Sequence, residues 1–374
     1  MRTPVPRRVA QFGVTGLLVI TIAAPVSAQE REWHEFGERV GRAAAALANS
    51  VVAEVAAAME ETGQQRGQQP RGRRPERDDR DVLTEEFSQS YNVGRNGRLR
   101  VETLYGNITI ERGGGEAIQV RALKRVRNTS EAQARRIMPN IAVVVTTRGS
   151  SVDVETANRS GGNWQGQVDY TISVPPSTQL FLESRSGNIH ITGIEGDIRA
   201  ETFSGNVTAT DVKRARDLSS FSGNVTITDS DGEDFSGESH SGNIVVRNVK
   251  ASVIALETTT GNLRVNDIES TRATLETLSG TIEYQGRLAR GGRYEMRSHS
   301  GNIRVLPTDA GPFQLEAATQ SGSVRSDFPV MLNSFRQQRR NFTAPPLQPE
   351  ATTTSDSAVL ALRTFSGNIV ITKR

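Results

Sequence analysis

The sequence predicts an all-β protein, a single-stranded β-solenoid (β-helix) with coils of 18–21 residues, preceded by an amphipathic helix and a disordered linker. Three observations predict this fold: a Ser-Gly-Asn motif that recurs at a short period, apolar residues that alternate on both sides of the motif, and the composition. Of 374 residues, 34 are glycine, while 35% are hydrophobic and 5% aromatic. These proportions are typical of turn-rich β architecture.

The Ser-Gly-Asn motif, usually followed by Ile or Val, marks one corner of each coil. From Gly187 to Gly322, successive motif glycines lie 18, 18, 19, 19, 19, 21 and 21 residues apart. A short and nearly constant period is typical of a solenoid, in which each coil packs on its neighbours. The motif glycines are Gly106, Gly187, Gly205, Gly223, Gly242, Gly261, Gly280, Gly301, Gly322 and Gly367.

Residues at a constant offset from the motif glycine form a column along the stack. Residues two and four positions after the glycine, such as Ile244 and Val246, are mostly apolar, and so is the residue five positions before it, such as Leu256. This alternation predicts two strands with one face inward. Every copy has Ser or Thr three positions before the glycine, which suits a narrow corner with hydrogen bonds along the stack.

The corner residues themselves are interpreted as structural. The glycine most simply supplies a positive φ at the corner. Asparagines follow most of the glycines and are expected to form a ladder of amides one coil apart. These asparagines are Asn107, Asn188, Asn206, Asn224, Asn243, Asn262, Asn302 and Asn368.

The predicted solenoid domain spans residues 83–374 and has two long gaps between motif copies. The first gap, after Gly106, contains strand-like alternations and a helical candidate from Ser130 to Ile137. The second contains a polar excursion at about 327–358, with several prolines. The last copy, FSGNIVITKR, predicts a closing strand at the carboxyl terminus.

Residues 1–28 are interpreted as a secretory signal peptide. Arg2, Arg7 and Arg8 precede an apolar run over 14–24, and small residues end at Ala28 before Gln29. We therefore expect cleavage there, a periplasmic or secreted protein, and no membrane span after cleavage. An uncleaved anchor is the alternative.

Residues 29–62 predict an amphipathic helix, with Trp33, Phe36 and Leu47 on its apolar stripe. Residues 63–82, rich in Gln, Arg, Gly and Pro, predict a disordered polar linker. The stripe needs a surface to cover it. Three surfaces are open. The helix could pack on the solenoid, or pair with a second copy of itself, which would mean self-association through these three residues. It could also contact a partner or membrane surface.

Composition excludes several classes of site. The chain contains no cysteine, so it has no disulfides, zinc fingers, iron–sulfur sites or thiol catalysis. Without Arg2, Arg7 and Arg8, 42 bases stand against 42 acids. This balance gives no support to nucleic-acid binding by bulk charge.

The pattern predicts no catalytic, cofactor or metal site. His240 and His299 share a column but lie three coils apart, too far for shared coordination. One outward column is a candidate for binding a cation or polysaccharide, although a solvated face with ion pairs is the simpler interpretation. Four positions before the motif glycine, it contains Glu183, Glu201, Glu238, Glu257 and Glu276.

Three passages together resemble a bacterial family of exported β-solenoid domains. They are FSQSYNVGRNGRLRVETLYGNITIERG, YTISVPPSTQLFLESRSGNIHI and the SGNI series, within residues 84–374. That family is known as a putative adhesin domain of unknown function and is similar to the head domain of putative autotransporter adhesins. The resemblance implies a β-helical fold and a cell-envelope location, and it carries no catalytic residues.

The expected function is therefore a non-catalytic, exported cell-envelope protein with an adhesin-like or scaffolding surface, and its expected partner is an envelope protein or polysaccharide. Two alternatives stay open. One is a polysaccharide-active β-helix enzyme, which would need a cluster of acids and bases at one level of one face. The other is an envelope-stress or regulatory partner that acts through the N-terminal helix.

Overall fold

The structure is a computed structural model that describes residues 81–127, 129–159, 166–311, 313–328 and 357–373. The predicted signal peptide (1–28) and helix (29–62), most of the linker (63–82) and most of the excursion (327–358) lie outside the described residues. The first strand begins at Asp81, two residues inside the predicted linker.

Strands make up most of the described chain, and one short helix lies near the N-terminal end. The strands before the regular repeats are β1 (Asp81–Asn92), β2 (Arg98–Tyr105), β3 (Ile108–Arg112), β4 (Ala117–Arg127), β5 (Ile141–Arg148), β6 (Ser151–Asn158) and β7 (Gly166–Val174), and the helix is α1 (Glu131–Ile137), which continues as a 3₁₀ turn over Met138–Asn140. The remaining strands are β8 (Gln179–Ser186), β9 (Ile189–Thr192), β10 (Asp197–Ser204), β11 (Val207–Thr210), β12 (Arg214–Ser222), β13 (Val225–Asp231), β14 (Asp234–Ser241), β15 (Ile244–Thr260), β16 (Leu263–Ser279), β17 (Ile282–Ser300), β18 (Ile303–Ala310), β19 (Phe313–Ser321), β20 (Val324–Ser326), β21 (Ala358–Ser366) and β22 (Ile369–Ile371).

The described strands form a β-solenoid, as the sequence predicts. We call the sheet that contains the strands after the motif glycines face A. The sheet that contains the strands before these glycines is face B. Face A runs in the order β1-β4-β7-β3-β9-β11-β13-β15-β16-β17-β18-β22-β20, and face B in the order β5-β6-β2-β8-β10-β12-β14-β15-β16-β17-β21-β19. The long strands β15, β16 and β17 contribute to both faces. The two faces meet at the Ser-Gly-Asn corner.

The N-terminal end of the solenoid is closed by strands of opposite direction. The pairs β1–β4, β4–β7 and β5–β6 are antiparallel, whereas the pairs along the rest of the stack are parallel. Helix α1 lies at this end, at the position predicted for a helix, and the Ser130 side chain accepts a hydrogen bond from the Gln133 backbone N–H. Ala134 and Met138 bury this segment against the core.

The C-terminal end does not follow chain order. The last motif copy, in β21 and β22, lies between the Gly301 coil and the Gly322 coil. The final strands are therefore an inner coil, and β19 and β20 form the end of the described stack, which corrects the prediction of a closing strand. Leu362 and Ile371 of the inserted coil are fully buried, whereas Ala317 and Ser326 in the end coil are half-buried. The more apolar copy thus takes the place that has neighbours on both sides.

The core consists of the predicted inward columns. Ile244, Val246 and Leu256 are buried, and the equivalent residues of the neighbouring coils stack on them. In the wider coil between Gly280 and Gly301, Tyr284 and Tyr294 fill the interior, with their rings 5.7 Å apart in an edge-to-face arrangement. The Tyr294 hydroxyl accepts a hydrogen bond from the Ala289 backbone N–H at 2.8 Å, so its polar atom is satisfied.

The motif glycines are required by close approach rather than by φ alone. Only Gly106, Gly205, Gly301, Gly322 and Gly367 have a φ in the positive range, which corrects the prediction for the other five. At Gly242, whose φ is outside that range, an added Cβ would meet the Gly223 carbonyl oxygen far inside the 3.0 Å that real Cβ atoms keep. The same carbonyl accepts a hydrogen bond from the Ser239 hydroxyl at 2.9 Å. The corner is therefore a tight packing of one coil's backbone on the next.

The asparagines form hydrogen-bonded runs along this corner. The Asn206 backbone N–H and side-chain Nδ2 both donate to Asn188 Oδ1, at 2.9 and 3.2 Å, and the pattern repeats through Asn262. The run begins at Asp169, whose Oδ1 accepts from the Asn107 N–H at 2.8 Å. It stops at Thr281, which has no amide to continue it. A second run joins Asn302, Asn368 and Ser323.

A second corner, six residues after the motif glycine, was not predicted. Asp211, Asp229, Asn248 and Asp267 have φ values of 50–54°, and Gly193 occupies the same column with a φ of 75°. Asp and Asn tolerate this left-handed conformation better than other side chains. The recurring Asp or Asn at a constant offset from the motif is the signal that could have revealed this corner.

Candidate functional site

Face B carries the predicted glutamates as one continuous outward column. Register pairs Glu183 with Glu201 and Glu238 with Glu257, while Ser219 stands between Glu201 and Glu238. The column continues to Glu276 in one direction. In the other it extends beyond the predicted set to Glu102 and Glu155. We call these seven glutamates the acidic column.

The two added glutamates differ in how visible they are from sequence. Glu102 has the same offset from Gly106 as the others have from their glycines, so the repeat alone could have identified it. Glu155 belongs to β6, which has no motif glycine, and only the pairing of β6 with β2 places it in the column.

The centre of the acidic column holds crowded negative charge. Removal of water by neighbouring side chains raises the pKa of Glu201, and the charges of Glu183, Asp217 and Glu238 raise it further. The same loss of water raises the pKa of Glu238, with Asp217 contributing. Burial also raises the pKa of Asp217, although the Arg199 guanidinium opposes that shift. An added positive charge would therefore be stabilised here.

Arginines contact the acidic column on both sides of this centre. Arg100 Nη2 lies 3.6 Å from Glu183 Oε1 and also contacts Glu102. Arg297 Nη1 lies 3.6 Å from Glu276 Oε1. Glu276 is only 6% exposed, so its contact with Arg297 is shielded from solvent more than the contacts of Arg100.

A column of rings runs beside the acidic column, two residues closer to the corner. The ring centroids of Phe203 and Phe221 are 4.7 Å apart, and those of Phe221 and His240 are 4.6 Å apart, with the rings nearly parallel. His299 and Phe365 form a second stacked pair at 4.9 Å. We call these five residues the ring column. It was not predicted, although each ring immediately precedes a Ser-Gly pair and the offset is visible in the sequence.

A different outward column lies at the edge of the coils beyond the second corner. Register places Asp231, Lys250, Glu269 and Arg287 side by side, so charges of opposite sign alternate along the stack. These residues, with small side chains such as Ser252, line an open groove of about 830 Å³. We call them the alternating column. It neutralises its own charge, unlike the acidic column.

Within the part of the chain that the structure describes, no group of three or more His, Asp or Glu side chains could hold a metal ion. His190 pairs with Thr109 and Thr208 on face A, away from the ring column. Over the same residues, no helix has the length and apolar character needed to cross a membrane. The carboxylates of the acidic column follow one another on successive coils, so the column is an extended surface rather than a compact site.

One protein-family comparison matches most of the chain. The model of the family described as Toastrack DUF4097 matches residues 96–372. The match begins at Asn96, two residues before β2, and ends just after β22, so it includes both faces of the solenoid. No curated protein matches the chain.

Several solved structures are distantly similar. A putative adhesin from Bacteroides fragilis is 12% identical, with 77% of this chain and 97% of that chain covered and a TM-score of 0.36. A putative lipid binding protein from Parabacteroides distasonis is 10% identical, with 77% and 96% covered and a TM-score of 0.41. A putative cell adhesion protein from Clostridium sporogenes is 9% identical, with 78% and 100% covered and a TM-score of 0.20.

Proposed function

The chain belongs to the Toastrack DUF4097 family, and from that premise we propose that it is a non-catalytic, exported protein of the cell envelope. In this proposal face B is an adhesin-like or scaffolding surface for an envelope polysaccharide. The observation that carries it is the in-register repetition of carboxylates and rings over successive coils of face B.

A repeated surface suits a repeated polymer. Neighbouring coils place equivalent side chains about 4.8 Å apart, so a chain of sugars laid along the solenoid axis would meet the same groups many times. Carboxylates accept hydrogen bonds from sugar hydroxyls, and ring edges offer apolar contact beside them. Each contact is weak, but many contacts formed at once on one polymer raise the overall affinity far above that of a single contact.

The test measures how much purified full chain sediments with insoluble polysaccharide prepared from the envelope of the source cells. The variant E201Q/E238Q removes two charges from the acidic column, and the variant D231N/E269Q removes two from the alternating column. We expect the first to bind about tenfold more weakly, a loss of about 1.4 kcal/mol, and the second to bind like the wild type. Equal binding by both variants would contradict the proposal.

The same samples address the competing hypothesis of an enzyme. Incubation with the polysaccharide should release no soluble fragments and create no new reducing ends. Fragment release by the purified chain that is lost in E201Q/E238Q would instead support a polysaccharide-active enzyme, with the acidic column as its site.

The predicted helix over residues 29–62 adds a second proposed contact region. Its apolar residues Trp33, Phe36 and Leu47 would support self-association or docking on an envelope protein, because large apolar side chains dominate such contacts. Replacing all three with Ala in the full chain should abolish any dimer seen by light scattering. A dimer that survives the replacement would assign self-association to another surface.

A further inference from the structure

We propose that the arginine-rich linker, residues 63–80, docks on face B of the same chain along the acidic column. The docking concerns a different partner from the polysaccharide. Only its regulatory consequence, described below, rests on the proposed function.

Face B already binds guanidinium groups with two kinds of partner. Arg100 contacts the carboxylates of Glu102 and Glu183. The guanidinium carbons of Arg98 and Arg199 lie 5.3 and 5.9 Å from the centroid of the Phe181 ring, within the range of a cation–π contact. Carboxylates and rings on one surface are the partners that arginine accepts, whereas a metal ion would need a compact ligand set.

The centre of the column can accept further guanidinium groups. Glu201 and Glu238 flank Ser219, and Asp217 stands beside them. The rings of Phe203 and Phe221 run alongside. Burial raises the pKa of all three carboxyls; neighbouring negative charge raises those of Glu201 and Glu238 further, and Arg199 opposes the shift of Asp217, so the electrostatics agree with this geometry.

The linker has the complementary composition. Residues 63–80 contain six arginines and three acids, and all four charged residues between 63 and 74 are arginines: Arg66, Arg71, Arg73 and Arg74. The glycine and proline content of this segment predicts no regular structure of its own, and such a segment could follow a flat surface. Charge complementarity thus selects this segment as the occupant.

The point where the linker joins the solenoid is also suitable. Asp81 pairs with Arg127, and Leu83 pairs with Val126, which in turn pairs with Gly166. Gly166 lies just before the corner formed by Val168 and Asp169, on the side that leads to face B. The linker therefore meets the solenoid at the edge between the two faces.

The distances allow the whole column to be reached. From β1, where the linker joins the solenoid, the level of Glu276 is nine strand steps away, which is about 43 Å at the spacing of neighbouring strands. The 18 residues from 63 to 80 span up to about 60 Å when extended. A docked linker would cover the surface proposed for polysaccharide, so that the polymer would have to displace it. Docking would then lower the affinity for the polymer.

The test uses the absence of cysteine from the natural chain. Spin labels are placed in the full chain on Gly72→Cys together with either Ser236→Cys, on face B, or Thr226→Cys, on face A of the same coil. We expect a short, narrow distance distribution for the face B pair and a long, broad one for the face A pair. In 1 M salt, where the screening length is about 3 Å, the short distance should be lost.

Charge reversal supplies the matched control. R71E/R73E/R74E should abolish the short distance, and so should E201R/E238R, while the two sets combined should restore it. Circular dichroism verifies that each variant is folded. Equal distances to both faces, or a short distance that ignores salt and charge reversal, would overturn the proposal. A short distance that appears only between differently labelled chains would also overturn it and would indicate docking on a second copy.

The outcome is separable from that of the proposed function. A linker that docks on a chain that binds no polysaccharide would leave this inference standing and remove the function. The opposite outcome is a chain that binds polysaccharide, shows no short distance, and keeps the same affinity when the linker charges are reversed. That outcome would support the proposed function and overturn this inference.

Discussion

Each coil turns between its two faces at two corners, and the two corners are constrained in different ways. At the Ser-Gly-Asn corner, the backbone of one coil lies so close to the next that no Cβ fits, as at Gly242 over Gly223. At the second corner, the Asp and Asn residues take a left-handed backbone and their side chains remain exposed, as at Asp211. The first corner is therefore constrained by contact between coils, and the second by the conformation of a single residue.

The largest expected effect breaks the first corner. Gly242→Ala should lower the free energy of unfolding by about 3 kcal/mol, because its Cβ would collide with backbone that cannot move without disturbing the stack. Gly237→Ala is the control from the same coil. Its Cβ would meet only side-chain atoms, the nearest being Leu256 Cδ2 at 3.2 Å, and should cost less than about 1 kcal/mol. Similar urea midpoints for the two variants would refute the close-approach explanation.

The next effect concerns the amides that join the corners. Asn224→Ala removes the side-chain Nδ2 that donates to Asn206 Oδ1, and it removes the Oδ1 that accepts a hydrogen bond from the Asn243 backbone N–H at 2.9 Å. We expect a loss of about 1–2 kcal/mol in the free energy of unfolding, since a backbone donor loses its partner. A loss below about 0.5 kcal/mol would mean that water replaces the amide at no cost.

A change in the second corner should be smaller and depend on the residue introduced. Asp211→Val should cost about 1–2 kcal/mol, because a β-branched residue is strained at a φ of 53°. Asp211→Gly should stay within about 0.5 kcal/mol of the wild type, as the natural Gly193 in the same column suggests. If the Asp211→Gly and Asp211→Val proteins have the same melting temperature, the left-handed conformation at this position is not maintained in solution.

One substitution should strengthen the first corner. Thr281 interrupts the amide run, so Thr281→Asn should supply an oxygen for the Asn302 backbone N–H and raise the free energy of unfolding by about 0.5–1.5 kcal/mol. Thr274→Asn, on the outward surface of β16, adds an amide without this opportunity and should leave stability nearly unchanged. A destabilised Thr281→Asn protein would show that the wider coil cannot accept the amide.

The smallest effect lies outside both corners, in the acidic column. A carboxyl whose pKa is higher in the folded protein binds more protons there, so stability falls as the pH rises from the ordinary pKa of glutamate through the raised value. Glu201→Gln should therefore stabilise slightly at pH 7, by less than about 0.5 kcal/mol, and the gain should disappear in acid. Urea unfolding of both proteins at several pH values would test this. A gain that persists at low pH would assign the effect to packing.

The sequence alone determined the features that depend on residues close together in the chain. The period of 18–21 residues, the inward columns such as Ile244 and Leu256, and the helix near Ser130 all follow from patterns local to the chain. The acidic column was predicted for the same reason, because its residues keep one offset from the motif glycine. The ring column and the second corner carry equally local signals that were overlooked.

Only the tertiary structure decided which coils are neighbours and how closely they approach. The insertion of β21 and β22 between the Gly301 and Gly322 coils, and the pairing that brings Glu155 beside Glu102, span long gaps in the chain. Motif spacing does not determine the order of coils across such gaps, because any copy can pair with any other and burial selects among them. The reason for Gly242 is tertiary as well, since the atom that excludes a Cβ belongs to the coil before it.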